Sequence, residues 1–586
     1  MTSRVIMQFM WGYQEHFRLA FQRLASESLG SLAPTLKIRS LLVGVKSPNA
    51  IAHHLVCVEP ETGEVPQSLL DGLEKRIQEL IASHELQNVF YGDEPSNRDK
   101  PRRIREACVR DAVAERLSPF DSTAGIRSFC SLPTVVGSYE VVCVIQVEVN
   151  AFNSMPQLRR TTTWHEDFRV VPSLAHAVIE CLLEEAHDAL YKPEPGRTVR
   201  RTFAMDGEGV VLRAAKEFSY TPSWAGKRTD AMGELFEPCC RVAARQYERR
   251  DAQASMLLLA RDHPALEQLV ELERPVPLRA TRWARKILQM SSKGIFALCD
   301  GAALFGLGRL KGDYDPVNED AFLVDFRGHG SWDLVHGGTV LMRVLHGVAS
   351  IPRARVQKEA FCNNLRRVVT AVSEEGAERA WAVVSAAIEQ RHGTMVVMSA
   401  AGEEEAKRLG GQATVVRPRY LSPDLVECVS EIDGAILVDS TGRCCAVGVI
   451  LDGPAGAEGT AARGARYNSA VRYVAGANAQ TLAVVISEDG DVDMIPLLKS
   501  QIRPSDLSAI LEEVGRLRDS PTSDGIRRVM KWLDAHRFYL SAEQCAKMNA
   551  AMKEFDEFIE KERELWICYA RFTPDASMNE SYFLEE

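Results

Sequence analysis

The chain has 586 residues, a formal net charge of −10, and 46% hydrophobic and 26% charged residues, the composition of an ordinary globular protein built from roughly three or four domains. The acidic balance argues against a general nucleic-acid or anionic-membrane surface, but it leaves room for a local basic cleft. No apolar run of about 18 residues and no charged-then-apolar leader at Met1 is visible, so the expectation is a cytoplasmic protein with no membrane span.

The 14 cysteines show no Cys-x-x-Cys and no regular spacing, which predicts reduced, mostly buried thiols. Residues 1–192 read as an α/β region. Ile38 to Lys46, Leu55 to Val58 and Val141 to Val149 are strand-like, Leu69 to Ile81 has helical periodicity, and Ser173 caps a helix whose apolar face is Leu174, Val178, Leu182 and Ala186. On that helix Glu184-x-x-His187 has a metal-ligand spacing, but a single copy reads as a solvated face. Tyr191 to Gly196, with Pro193 and Pro195, can continue neither helix nor sheet and predicts a boundary.

Residues 197–350 read as a second, α+β region that could hold an accessory ligand. Thr229 to Val270 is expected to be largely helical, with a break near Pro264. Asp300-Gly301-Ala302 and the glycine pairs at 328–330 and 337–338 allow either a ligand pocket built on backbone amides or hairpin turns that need glycine, and the second is favoured. Residues 356–500 open with two helical segments, the second burying Ala380, Val383, Val384 and Ala387. Residues 501–586 are a helical tail, with a capping box at Ser541 to Gln544 and a stripe of Met548, Met552, Phe555 and Ile559.

Within 356–500 the motifs follow a definite order. Gly393 to Met398 is a buried strand. A helix starts at Ser422, Pro423 and Asp424 and ends by Asp433-Gly434-Ala435. Ala435 to Val438 and Cys444 to Leu451 form a hairpin, and a glycine-rich loop leads into Gly464-Ala465-Arg466-Tyr467-Asn468-Ser469-Ala470 at a helix start. Thr481 to Ile486 and Val492 to Ile495 are strands flanking a turn at Ser487-Glu488-Asp489-Gly490. This order resembles the diadenylate cyclase domain, whose pattern is Asp-Gly-Ala, then Gly-Thr-Arg-His-Arg-Ala-Ala, then Ser-Glu. The implied fold is α/β, a mixed twisted sheet flanked by helices.

The resemblance implies that two ATP molecules are condensed into cyclic di-AMP in a homodimer or higher homo-oligomer. Magnesium or manganese would be held by Asp433 and Glu488. It places Asp433 at the reacting 3′-hydroxyl, makes Arg466 the phosphate grip, and gives nucleotide contacts to Gly393, Thr394, Gly434, Ala435, Gly464, Ala465, Tyr467, Asn468 and Ser469. The residue types suit these roles. Glycine lets backbone approach ribose or phosphate, helix-start amides favour anions, and arginine is a planar bidentate donor. Where the family has Arg-His-Arg this chain has Arg466-Tyr467-Asn468, which removes an imidazole and a positive charge. Two functional classes therefore stand. One is an active cyclase regulated by an N-terminal sensor half; the other is a module that binds a nucleotide without turnover. No glycine-hairpin signature of a DNA-binding module occurs in the tail, so a nucleic-acid partner is not expected.

Overall fold

The computed structural model describes residues 8–584 apart from 35, 49, 62–64, 161–162, 166–167, 199–201, 228–234, 246–253, 293, 313, 353–355, 391–392, 454–463, 488–491, 562–569 and 576. The chain divides into two compact units, 1–354 and 355–586.

The first unit begins with a sheet of β1 (Ile38–Lys46), β2 (Val56–Glu59), β3 (Ile126–Cys130), β4 (Thr134–Val136) and β5 (Tyr139–Glu148), ordered β2-β1-β5-β3 with β4 also on β5. Alternation along β1 and β5 splits their side chains between two cores. Leu42, Val141, Cys143 and Ile145 pack under α1 (Gln14–Leu32). Leu41, Val43, Val142 and Val144 pack under α2 (Leu73–Ser83) and α3 (Glu94–Ala124). Then come a single turn α4 (Val149–Asn153), a ribbon of β6 (Thr163–His165) and β7 (Phe168–Val170), and α5 (Leu174–Leu190), which joins α1 over the first of those cores. Ser173 caps α5, its Oγ accepting from His176 N at 3.2 Å. Residues 191–196 leave the helix in turns packed on α1, where Trp11 Nε1 donates to Pro195 O at 2.8 Å.

The unit continues through α6 (Gly207–Phe218), α7 (Tyr220–Ser223), α8 (Phe236–Ala243) and α9 (Thr281–Leu288) around a second sheet. Its strands are β8 (Ala254–Leu258), β9 (Leu266–Pro277), β10 (Phe296–Cys299), β11 (Ala303–Leu310), β12 (Phe322–Gly328), β13 (Ser331–His336), β14 (Thr339–Leu345) and β15 (Val348–Ser350), ordered β15-β14-β13-β12-β8-β10-β11-β9. The helix expected over 229–270 gives way to strand, and among its described residues only α8 is helical. β8 is an apolar run of strand length buried between β10 and β12, a pattern that periodicity alone does not separate from helix. β9 has helix-like spacing, but it is drawn onto β11 by glycines. A β-carbon on Gly306 would lie 2.2 Å from Val270 O, and one on Gly308 2.5 Å from Glu267 O. Asp300-Gly301-Ala302 is the β10–β11 turn. Asp300 Oδ1 accepts from Ala303 N at 2.9 Å, its Oδ2 accepts from Arg261 Nε at 2.8 Å, and Gly301 has φ +91°. Gly330, Gly337 and Gly338 have positive φ at the next two hairpins, as the turn reading expects.

The second unit carries α10 (Lys358–Val368), α11 (Glu374–Ile388), β16 (Thr394–Ser399), α12 (Gly402–Arg408), β17 (Thr414–Arg419), α13 (Pro423–Ser430), β18 (Ala435–Asp439), β19 (Cys444–Val449), α14 (Ala465–Gly476), β20 (Thr481–Ile486) and β21 (Val492–Ile495). The sheet order is β17-β19-β18-β16-β20-β21, with only β16 and β18 parallel. Val396, Met398, Ile436, Val438 and Val484 face α10, α11 and α13. Met395, Val397, Ala435, Leu437 and Ala483 face α12 and α14. This is the α/β fold with a mixed sheet between helices. The tail is helical: α15 (Pro504–Asp519), α16 (Ser523–Ala535) and α17 (Ala542–Lys561), the last opened by a capping box in which Gln544 N donates to Ser541 Oγ and Ser541 N to Gln544 Oε1. No helix among the described residues is long and apolar enough to cross a membrane.

Candidate active site at one end of the second-unit sheet

Register brings the motifs together. Met395 pairs with Ala435 and Thr394 with Ile486, so Gly393, Thr394, Asp433, Gly434 and Ser487 all lie at one end of the sheet. Gly434 has φ +122°, a conformation that is essentially glycine's alone. A β-carbon there would lie 2.5 Å from Gly448 C and 2.8 Å from Val449 N, and Gly448, at φ +60°, takes Ile432 against its own open face. The two glycines let the entry to β18 cross β19 in contact with its backbone, and the β18–β19 register shifts there. Asp433 is thereby turned out of the sheet end with its side chain 95% exposed, and its Oδ1 lies 3.6 Å from Arg466 Nη2.

Arg466 sits in the first turn of α14, whose N-cap Gly464 offers no side chain to the helix-start amides. Those amides, the positive end of the helix dipole and the guanidinium form an anion-attracting corner facing a carboxylate. α14 is held on the sheet by buried Ala470 and Tyr473, and Tyr473 Oη donates to Glu405 Oε2 at 3.0 Å. Burial and that carboxylate push the Tyr473 phenol up, so it stays a donor. Arg408 joins Glu405 to Asp452, donating to Asp452 at 2.6 and 2.8 Å. Gly453 passes α14 so closely that a β-carbon would lie 2.7 Å from Arg472 C. The base of the glycine-rich loop is thus pinned to α12 and α14; its residues 454–463 lie outside the described ones.

Residues 382–496 match the family model described as the DisA bacterial checkpoint controller nucleotide-binding domain, DAC. That stretch is a DAC domain. Residues 10–219 and 233–338 match models described as the probable sensor domains DACNG and DACNH. The crystal structure of DacA from Staphylococcus aureus is 20% identical over 21% of this chain and 83% of its own, with a TM-score of 0.18. That of a hypothetical membrane spanning protein from Bacillus cereus is 19% identical over 24% of this chain and 68% of its own, with a TM-score of 0.20. No curated protein matches the chain.

Within the DAC domain the expected residues separate into groups. Asp433, Gly434, Gly464, Ala465 and Arg466 gather at one corner. Ala435 is fully buried and offers only backbone. Thr394 is buried on the face shared with Val396, opposite α14, and its Oγ1 has no hydrogen-bond partner among the described residues. Tyr467 packs its ring against the apolar cluster between α14 and the sheet. Asn468 and Ser469 are half-buried in the same turn of α14, where Asn468 O accepts from Arg472 Nε at 3.2 Å. Glu488 lies outside the described residues. Sequence reading missed Gly448, Arg408 and Glu405; only the acidic start of α12 and the Glu405-x-x-Arg408 spacing hinted at the last two. No group of three or more His, Cys, Asp or Glu able to cage a metal occurs among the described residues. Asp433 is nevertheless a hard, exposed oxygen donor, which suits magnesium or manganese, ions that take one or two carboxylates and complete their shell with phosphate and water.

Proposed function

We propose that the DAC domain condenses two ATP molecules into cyclic di-AMP with release of pyrophosphate, in the cytoplasm, under the control of the N-terminal half. In this reading 1–192 and 197–350 are regulatory, 356–500 is the cyclase region and 501–586 a helical accessory. The observation that carries it is the exposed Asp433 carboxylate, set 3.6 Å from Arg466 at the start of α14 on a glycine crossing.

Each condensation forms a bond from a ribose O3′ to the α-phosphorus of the other ATP and breaks that phosphorus–pyrophosphate bond; the hydroxyl proton leaves through a base. Two such steps close the ring, so two nucleotides must face each other, and one exposed half-site per chain calls for a second copy of the chain. Asp433 takes the hydroxyl proton and is the residue that would hold the metal, with Glu488 as the second expected carboxylate. A bound magnesium or manganese ion supplies neutralisation of charge at the phosphates and the leaving pyrophosphate. Arg466 and the α14 amides orient the phosphates, and Gly434 lets the ribose approach the backbone. One observation favours a second reading, nucleotide binding without turnover: Tyr467 stands at the family's histidine position and, half-buried, packs against the apolar cluster under α14.

Asp433→Asn tests the assignment. The amide is nearly isosteric, so ATP affinity should stay within a few-fold while cyclic di-AMP formation falls by roughly 10²- to 10⁴-fold, the share a positioned base supplies. Product formation at the wild-type rate would remove Asp433 from the mechanism.

A further inference from the structure

In the first unit α3 and α5 cover opposite faces of the sheet and both pass its edge strand β3, beyond which no strand among the described residues continues the sheet. The slot between them is a cavity of about 420 Å³, a size typical of small-molecule sites. Its floor is the β3 edge. Ser131 N donates inward to Cys143 O at 2.9 Å, whereas Ser128 N turns outward to Asp121 Oδ2 at 2.8 Å. By the alternation of an antiparallel ladder, the N–H and C=O of Cys130 also point outward, into the cavity. Asp121 closes this edge at one end. At the other, His187 Nδ1 is engaged by Leu132 O at 3.1 Å and by Thr134 Oγ1 at 2.9 Å. Between them the strand has room to pair with about one residue, too little for an added strand.

The walls differ in charge. Arg110 lines the α3 side and pairs along its own helix with Asp111 at 2.8 Å. Glu180 and Glu184 line the α5 side, and Glu184 pairs with Arg213 of α6 at 2.6 Å. Ala114 and Leu183 add apolar surface. A ligand spanning this slot meets a cation on one side, carboxylates on the other, a main-chain donor and acceptor on the floor, and apolar walls between. The geometry points to a binding site for a free α-amino acid with an apolar side chain. Its carboxylate lies toward Arg110, its ammonium toward Glu180 and Glu184, and its side chain against Leu183 and Ala114. The region matched as a probable sensor domain contains this cavity, and the inference stands whether or not the DAC domain turns over ATP.

The test uses the full-length chain with L-leucine, L-methionine and L-phenylalanine, each also as its N-acetyl and its amide form, followed by the melting temperature. At least one free amino acid should raise it saturably. Its two blocked forms, each lacking one charge, should bind roughly ten- to hundredfold more weakly, the expected loss for a charge-assisted contact. Arg110→Gln and Glu180→Gln should weaken the free amino acid to the same extent. No shift with any of the three, or blocked forms binding as well as the free one, would overturn the assignment.

Discussion

Arg466 is the residue on which nucleotide affinity should depend most, because its side chain is part-exposed at the start of α14 and meets the Asp433 carboxylate at the long distance of 3.6 Å. Such a pair in solvent is weak and yields readily to a phosphate. Arg466→Ala should therefore weaken ATP binding by roughly ten- to hundredfold, as loss of a hydrogen bond to a charged group does, with the fold intact; calorimetry with ATP measures it, and unchanged affinity would move the phosphate grip elsewhere. His176 makes a different kind of test. It is buried beside Phe152, with ring centroids 4.8 Å apart, and its Nδ1 bonds Ser173 Oγ at 2.8 Å. Burial, with a smaller contribution from Arg127, pulls its pKa from 6.5 down to about 4. The neutral ring is native, and the unfolded chain takes up a proton first. Stability from this residue is thus complete above pH 6.5 and falls as pH drops toward 4, by on the order of 3 kcal/mol. His176→Gln should flatten that part of the pH dependence of thermal unfolding of the first unit; an equally steep fall in the variant would show that other groups cause it.

At the scale of elements, the β18–β19 crossing is what aims Asp433. Gly434→Ala puts a β-carbon into the backbone of Gly448 and Val449 at a φ other residues avoid, which should cost about 3 kcal/mol or more and lower the melting temperature of the second unit; a neutral substitution would mean that the crossing relaxes freely. Much of this was legible in the sequence. β16, β18, β19 and β20 are short buried runs and β21 a half-buried one, each bounded by turn residues, and Asp433-Gly434-Ala435 and Gly464 to Ser469 are local motifs, so their order is read directly. α12 and β17 leave no such signal, since α12 buries only Gly402 and Ala406 and β17 is an exposed edge with Pro418 inside it. The contacts that set the site's shape were hidden as well. Gly448 matters because Ile432 lies against it, and Arg408 because Asp452 folds back onto it, and neither pairing has a signature in spacing. The spacing of β9 reads as helix, whereas Gly306 and Gly308 of a later strand hold it as strand.

At the scale of the whole molecule, the proposed mechanism needs a second copy of the chain to complete the site. Beside Asp433 at the sheet end, Ile432 and Ile450 are 50% and 62% exposed, apolar surface at the place where a second copy would have to approach. If two chains complete the site, cyclase activity depends on their meeting. The most direct measurement is mass detection of cyclic di-AMP from the purified full-length protein with ATP and manganese, across a range of protein concentrations. Product is expected, with activity per mole of chain rising through the range in which the protein dimerises. Saturating ATP binding with no cyclic di-AMP at any concentration, or activity strictly proportional to protein in a sample shown to be monomeric, would contradict it.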